Sequence, residues 1–313
     1  MDKGFKRKSD AVFEALGAIA TVESGVVFLG GSAIQASLGK PRRLSIDLDV
    51  AFDSDPRRLA EAVQSAGFSI TGRPCKNPLF VFYKAAKDGV EIKLDISRFR
   101  IRQTERQTPH GIEVLIPTKS YFLASKLSSL AHATIGRSER EPTQIIKDIF
   151  DIDCLLDEKA PIRGMKADWE AVISDQNHLR STSFGEAECA ESVRKTLMGC
   201  LSLASTPAMP LNALSTFDDY LLSGHLSRQD FVAMAARTLM LLVHMDDDFH
   251  ALDAQINTDF THKLKMAHAE KELLKAGVLP AGQVHELKVV APKALLHVLY
   301  WSHKRRVGNP VLM

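Results

Sequence analysis

The chain has 313 residues, 45% hydrophobic and 25% charged, with a formal net charge of +2. Such a length buries a substantial core and divides into one or two domains, and the composition is that of an ordinary globular chain. A charge so near balance does not announce a nucleic-acid binder, so any basic surface has to be local.

The first ten residues are charged and polar and lack the apolar core of a signal peptide. No apolar run approaches the ~20 residues that span a bilayer, so no membrane partner is expected and the cytoplasm is the expected compartment. Ala11 to Val22 carries a helical apolar pattern, Gly25 stops it, and Val26 to Leu29 reads as a short buried strand. Gly30-Gly31 turns the chain, and Ser32 to Leu38 reads as a helix. Leu44 to Phe52 alternates as a strand, and Pro56 to Ala66 is a helix with proline in its first turn. Strands are expected at Phe68–Thr71, Leu79–Ala85, Val90–Phe99 and Ile112–Ile116, with Lys87-Asp88-Gly89 as a hairpin tip.

After Pro117 the character changes. Thr118 is a plausible N-cap for a helix to about Ala133, Gly136 to Pro142 reads as a loop, and a helix follows from Thr143 to Leu156. From Trp169 the pattern is almost wholly helical, broken at Pro207–Pro210, Gly224, Gly277–Pro280 and Pro292. The expected architecture is an α/β (α+β) domain with a mixed sheet over residues 1–117. A mostly helical domain, 118–313, is expected to close an active-site cleft.

The four cysteines, Cys75, Cys154, Cys189 and Cys200, lie far apart, form no CxxC pair and are expected as free thiols, not metal ligands. Chemistry concentrates instead in Ser45-Ile46-Asp47-Leu48-Asp49-Val50. Strand alternation puts Ile46, Leu48 and Val50 on one face and Asp47 and Asp49 on the other. Two carboxylates side by side repel, and a divalent cation such as Mg²⁺, which prefers oxygen ligands, compensates. Glu91 to Ser97 repeats the pattern, with Lys93, Asp95 and Ser97 on the polar face. If the two strands are neighbours, Asp95 completes a carboxylate trio able to hold one or two metal ions.

Upstream, Phe28-Leu29-Gly30-Gly31-Ser32-Ala33 puts a strand, two glycines, a hydroxyl and a helix start in sequence. Glycines let a ligand approach the backbone, and amides at a helix start cradle phosphate. The turn has neither the lysine of a P-loop nor the spacing of a dinucleotide fingerprint. Gly30-Gly31-Ser32 followed by Arg43-Leu44-Ser45-Ile46-Asp47-Leu48-Asp49 is far more specific. It resembles the DNA polymerase β-like nucleotidyltransferases, and most closely the AbiEii/AbiGii group of toxin-type nucleotidyltransferases.

The resemblance implies that Gly30, Gly31, Ser32, Arg43 and Ser45 bind the nucleotide and that Asp47, Asp49 and Asp95 bind metal and catalyse. It extends to Ala124-Ser125-Lys126-Leu127 and Ile146-Lys147-Asp148-Ile149-Phe150-Asp151. There it implies that Lys126 contacts nucleotide phosphates and that Asp148 supports the site. Lys147 stands where many members carry arginine. Asp148 and Asp151, three apart, share a helical face, and a structural Lys126–Asp148 ion pair is the plain alternative to a ligand contact. The matched stretch runs from about residue 26 to 157. Beyond it, His244 and Asp246 to Asp248 read as a charged helix end, because three adjacent residues cannot all face one ion.

For the acceptor, Arg98, Arg100, Arg102 and Arg106 form the densest basic cluster near the proposed site, and Lys304-Arg305-Arg306 is a second. Either suits an RNA backbone, or a solvated edge that blocks strand pairing. Aromatic residues make up 7% of the chain and show no stacking motif. The expected reaction is transfer of NMP from an NTP to an acceptor hydroxyl. The resemblance implies a tRNA 3′ end as acceptor and a cognate antitoxin as partner. A transferase for a small cationic molecule such as an aminoglycoside, and a non-catalytic nucleotide- or RNA-binding module, are the competing readings.

Overall fold

A computed structural model describes residues 3–73, 78–137, 141–202, 211–245, 249–259 and 261–308. It divides into two compact units. The first comprises the chain up to Phe122 together with Asp219–Gly224; the second comprises Leu123–Asp218 and the chain from His225 onward. The return of Asp219–Gly224 to the first unit has no counterpart in the sequence reading. Arg43 bridges Leu221, Leu44 N donates to Tyr220 O (2.8 Å), and Leu222 N donates to Arg42 O (3.0 Å).

The first unit is built on a mixed seven-stranded sheet. Its strands are β1 (Val27–Leu29), β2 (Asp47–Ala51), β3 (Ser69–Arg73), β4 (Phe80–Lys87), β5 (Val90–Ser97), β6 (Thr104–Gln107) and β7 (Val114–Pro117). They lie in the order β3-β4-β5-β2-β1-β7-β6. β2 runs parallel to β5 and β1 parallel to β7; the remaining pairs are antiparallel. Helix α1 (Lys3–Val22) packs on β2, β5 and α3 (Pro56–Ser65), while α3 packs on β3 and β4. Between these layers lies the core. Leu48, Val50, Leu94 and Ile96 of the sheet, Leu16 and Ile19 of α1 and Leu59 and Val63 of α3 are fully buried. Burial of such side chains is the main favourable term in folding, about 1.5–3 kcal/mol each.

Local signals account for most boundaries. Asp55 caps α3 by accepting from Arg57 N (3.0 Å) ahead of Pro56, and Gly67 at φ +90 follows the helix. Asp88 and Gly89, at φ 51 and 74, form the two-residue turn that pairs Lys87 with Val90. Three features differ from the sequence expectation. α1 starts earlier, at Lys3, and β2 starts at Asp47, because the chain before it pairs with the returning segment. The third is β6, a strand reading Thr-Glu-Arg-Gln with no apolar alternation to announce it, sitting at the sheet edge.

The second unit is helical. α4 (Lys119–Ser129) carries the boundary between the units and ends before Ala133, its expected end. α5 (Pro142–Asp157), α6 (Met165–Arg180), α7 (Glu186–Cys200), α8 (Leu211–Asp218), α9 (Arg228–Val243), α10 (Phe249–Asp259), α11 (Lys263–Ala276), α12 (Ala281–Val290) and α13 (Pro292–Gly308) follow. α9 lies against α5, α7 and α13, and Trp169 and Trp301 are fully buried. Cys154, Cys189 and Cys200 are buried thiols, not disulfides, and burial pushes Cys200 up to about 12. Cys75, Pro207–Pro210 and Asp246–Asp248 lie outside the described residues. Among the described residues, no helix is long and apolar enough to cross a membrane.

Candidate active site

The strand register brings the sheet carboxylates together. Asp49 of β2 lies directly opposite Asp95 of the parallel strand β5, and Asp47 lies opposite Lys93. Side chains two apart share a face, so Asp47, Asp49, Lys93 and Asp95 project from one side. Their neighbours Leu48, Val50, Leu94 and Ile96 fill the core on the other. Lys93 is exposed, and the three carboxylates are half-buried.

The glycine turn packs on this row. β1 ends at Leu29, opposite Asp49, and α2 (Gly30–Ser37) begins at once, with no side-chain cap at its start. Gly30 has φ +70, and a Cβ there would overlap the Asp49 carboxylate, its Cγ being 2.7 Å away. A Cβ on Gly31 would overlap the Arg43 guanidinium and lie 3.1 Å from Ser45 Oγ. The two glycines are therefore the space into which Asp49, Arg43 and Ser45 fit. Ser32 Oγ donates to the Asp47 carbonyl (2.7 Å), tying α2 to β2. Gln35 Oε1 accepts from Arg42 N (2.9 Å) and Arg43 N (3.1 Å), and Arg43 Nη1 donates to Leu44 O (3.0 Å).

Ser32, Arg43 and Ser45 also line a pocket of about 200 Å³, with Phe13, Gln35 and His110 among its other walls. The Phe13 and His110 rings stack with centroids 3.9 Å apart. His110 has φ 51, a left-handed conformation in which histidine is over-represented. Tyr220, carried in by the returning segment, is half-buried; burial first and the charge of Asp47 second push its phenol up.

Lys126 and Asp148 form a separate cluster in the helical unit. Lys126 Nζ lies 2.6 Å from Asp148 Oδ1 and 2.9 Å from Asp151 Oδ2. All three are buried, at 6%, 2% and 0% exposure, so the lysine sits between two carboxylates from one face of α5. The ion pair weighed on sequence grounds is thus present, with Asp151 as its second arm.

β5 ends at Ser97, and Arg98, Arg100 and Arg102 follow as exposed residues beyond the strand. Arg106 pairs with Glu113 on the edge strand β6. Lys304 is half-buried, and Arg305 and Arg306 have no described side chains.

Sequence reasoning missed Lys93 as a neighbour of Asp47, although it stood on the expected face; register was the lacking fact. Tyr220 gave no local signal at all. Among the described residues, no group of three or more His, Cys, Asp or Glu side chains is arranged to hold a metal ion by itself. The oxygen-only set around Asp47 and Asp49 nevertheless fits Mg²⁺, which commonly takes one or two carboxylates and completes its shell with water and substrate phosphate. Gly30 leaves room for the Asp49 carboxylate, because any side chain there would occupy its space.

The model of the family described as "Nucleotidyl transferase AbiEii toxin, Type IV TA system" matches residues 14–257. No curated protein sequence matches this chain. Among solved structures, JHP933 from Helicobacter pylori aligns over 82% of this chain and 98% of its own, at 15% identity and a TM-score of 0.48. An antigenic nucleotidyltransferase-like protein from Paracoccidioides brasiliensis aligns over 55% of this chain and 92% of its own, at 16% identity and a TM-score of 0.35.

Proposed function

The chain belongs to the nucleotidyl transferase AbiEii toxin family of type IV toxin–antitoxin systems, and on that premise we propose that it transfers NMP from an NTP to the 3′ end of a tRNA. Mg²⁺ is the proposed cofactor and a cognate antitoxin the proposed partner. The observation that carries the reading is the packing of Gly30 and Gly31 against Asp49, Arg43 and Ser45. Helix and strand there meet so closely that neither glycine position has room for a side chain.

In this reading the uncapped amides at the start of α2 receive the triphosphate. Arg43 and Ser45 flank it, and Ser32 holds α2 on β2 through the Asp47 carbonyl. Asp47 and Asp49, with Asp95 beside them, would hold the metal, which when bound supplies charge neutralisation for the triphosphate and leaving pyrophosphate. Asp95 accepts the proton of the attacking hydroxyl, whose oxygen forms a bond to the α-phosphorus as the bond to pyrophosphate breaks. Lys93, opposite Asp47, adds a mobile cation on the same face.

Lys126 is proposed to contact nucleotide phosphate and Asp148 to orient it. An ammonium has three donors, and Asp148 and Asp151 engage two, leaving one for an oxygen of the ligand.

The test supplies each NTP, labelled at the α-phosphate, with Mg²⁺ and with total tRNA, protein, an aminoglycoside or no acceptor, beside an Asp49→Ala variant. Label in tRNA that requires Asp49 and disappears with a chelator supports the reading. Label on the aminoglycoside instead makes the chain a small-molecule transferase. NTP binding with no transfer to any acceptor makes it a binding module.

A further inference from the structure

The row that aligns Asp49 with Asp95 continues onto β4. Asp95 lies opposite Phe82, and two pairs further along Ser97 lies opposite Phe80. In the other direction Asp47, Lys93 and Lys84 line up across three strands. Phe80, Phe82 and Lys84 therefore share the face of the carboxylates, while Tyr83 and Ala85 point to the side of Leu94 and Ile92. Both phenylalanines are half-buried, and Lys84 and Lys93 are exposed.

Two phenylalanines on the polar face of a sheet are not explained by the core, which lies on the other side. Their surroundings are cationic at one end. Lys84 and Lys93 stand beyond Phe82. Arg98 continues the ladder opposite Leu79, with Arg98 N donating to Leu79 O (2.7 Å), so alternation turns its side chain to the other face and leaves the cations of this face at the Lys84 end. Lys84 also pairs with Glu91 at 2.9 Å, but both are exposed, and pairs of this kind are weak enough for a phosphate to compete. Aromatic rings two residues apart on a strand stand about 7 Å from each other, so each can take its own base. Stacking on a sheet face requires unpaired, splayed bases, which a duplex does not offer.

We propose that this sheet face is the docking surface for the single-stranded 3′ end of an RNA acceptor. Bases stack on Phe82 and Phe80, phosphates meet Lys84 and Lys93, and the terminal hydroxyl reaches Asp95 in the same row. The inference rests on the RNA-acceptor reading above, and supplies the stacking surface that the sequence did not reveal.

The experiment uses the full chain with an RNA hairpin ending in a single-stranded 3′ tail, and measures both transfer and direct binding of a fluorescent copy. Phe80→Leu with Phe82→Leu keeps apolar bulk and removes the aromatic faces; Phe82→Trp keeps one. The double leucine variant should raise the KM for RNA and weaken RNA binding about tenfold or more. Its KM for NTP and its melting temperature should stay unchanged, and Phe82→Trp should bind as the natural chain does. RNA binding within twofold of the natural chain in the double variant would overturn the surface. So would an equal rise in the KM for NTP. Absence of transfer to RNA by the natural chain sinks the RNA-acceptor reading instead, and the binding arm still decides the surface by the same criterion.

Discussion

The molecule carries acidic side chains in two opposite ways. In the sheet, Asp49 and Asp95 are set side by side in register with half-buried carboxylates. In the helical unit, two groups of carboxylates gather around a cation. Asp148 and Asp151 enclose Lys126, and Arg237 reaches Asp153 (2.8 Å), Asp157 (2.8 Å) and Asp253 (2.6 Å). Neighbouring like charges across strands oppose folding, whereas a buried ion network is costly to break. In the proposed reading the sheet carboxylates serve chemistry, whereas those around Arg237 serve architecture.

The largest expected effect lies in the sheet. Asp49→Asn should lower transfer by about 10³-fold or more, the scale of losing charge stabilisation in the transition state. Melting temperature should change far less than transfer, since Asn keeps the shape of a side chain that is only half-buried. Steady-state transfer paired with thermal melts checks both halves, and a large fall in melting temperature would erase the distinction between the regions.

Arg237→Met makes the opposite prediction. Asp153 and Asp253 would remain buried without their cation, at a cost of roughly 3–5 kcal/mol in unfolding free energy. Denaturant unfolding should show that loss, while the molecules still folded keep their rate of transfer.

How much of this was legible beforehand follows from the range of the interactions. Alternation in Asp47–Val50 and Glu91–Ser97 showed which side chains share a face, because it depends only on residues two apart. Likewise the turn at Asp88-Gly89 and the proline that opens α3 announced themselves locally. Register between β2 and β5, which makes Asp49 and Asp95 neighbours, is a long-range fact, and so are the return of Tyr220 and the row from Asp95 to Phe82. β6 was hidden for another reason: an edge strand of polar residues needs no apolar period. Family resemblance added Lys126 and Asp148, and the structure adds that Asp151 shares the lysine.

Gly30→Ala sharpens the sheet half of the comparison. A left-handed φ costs a residue with Cβ roughly 1–2 kcal/mol, and the new methyl must also displace the Asp49 carboxylate. Transfer should fall more steeply than stability, read from rates normalised to folded protein. Equal losses would reduce Gly30 to a turn residue.

The smallest effect is one of pH and belongs to the helical unit. Burial works to raise the pKa of Asp253, but the His297 hydrogen bond (3.0 Å) and the Arg237 charge outweigh it and hold the carboxyl at about 2, against 3.8 when unperturbed. Its contribution is complete above the unfolded value and is lost as pH falls from 3.8 through about 2. Burial pushes His297 below its ordinary 6.5, so the unfolded chain takes that proton first and stability declines as pH drops under 6.5. Melts from neutral to acid pH should show this early decline, and His297→Gln should flatten it.

The central claim is that the sheet carboxylates and the glycine turn form a centre for nucleotidyl transfer. It is tested most directly by comparing NTP labelled at the α-phosphate with NTP labelled at the γ-phosphate, using tRNA with an intact or a periodate-oxidised 3′ end. The account predicts α-label alone, on the intact end alone, and none with Asp49→Ala. Incorporation of γ-label, or α-label that persists in the Asp49→Ala variant, would contradict it.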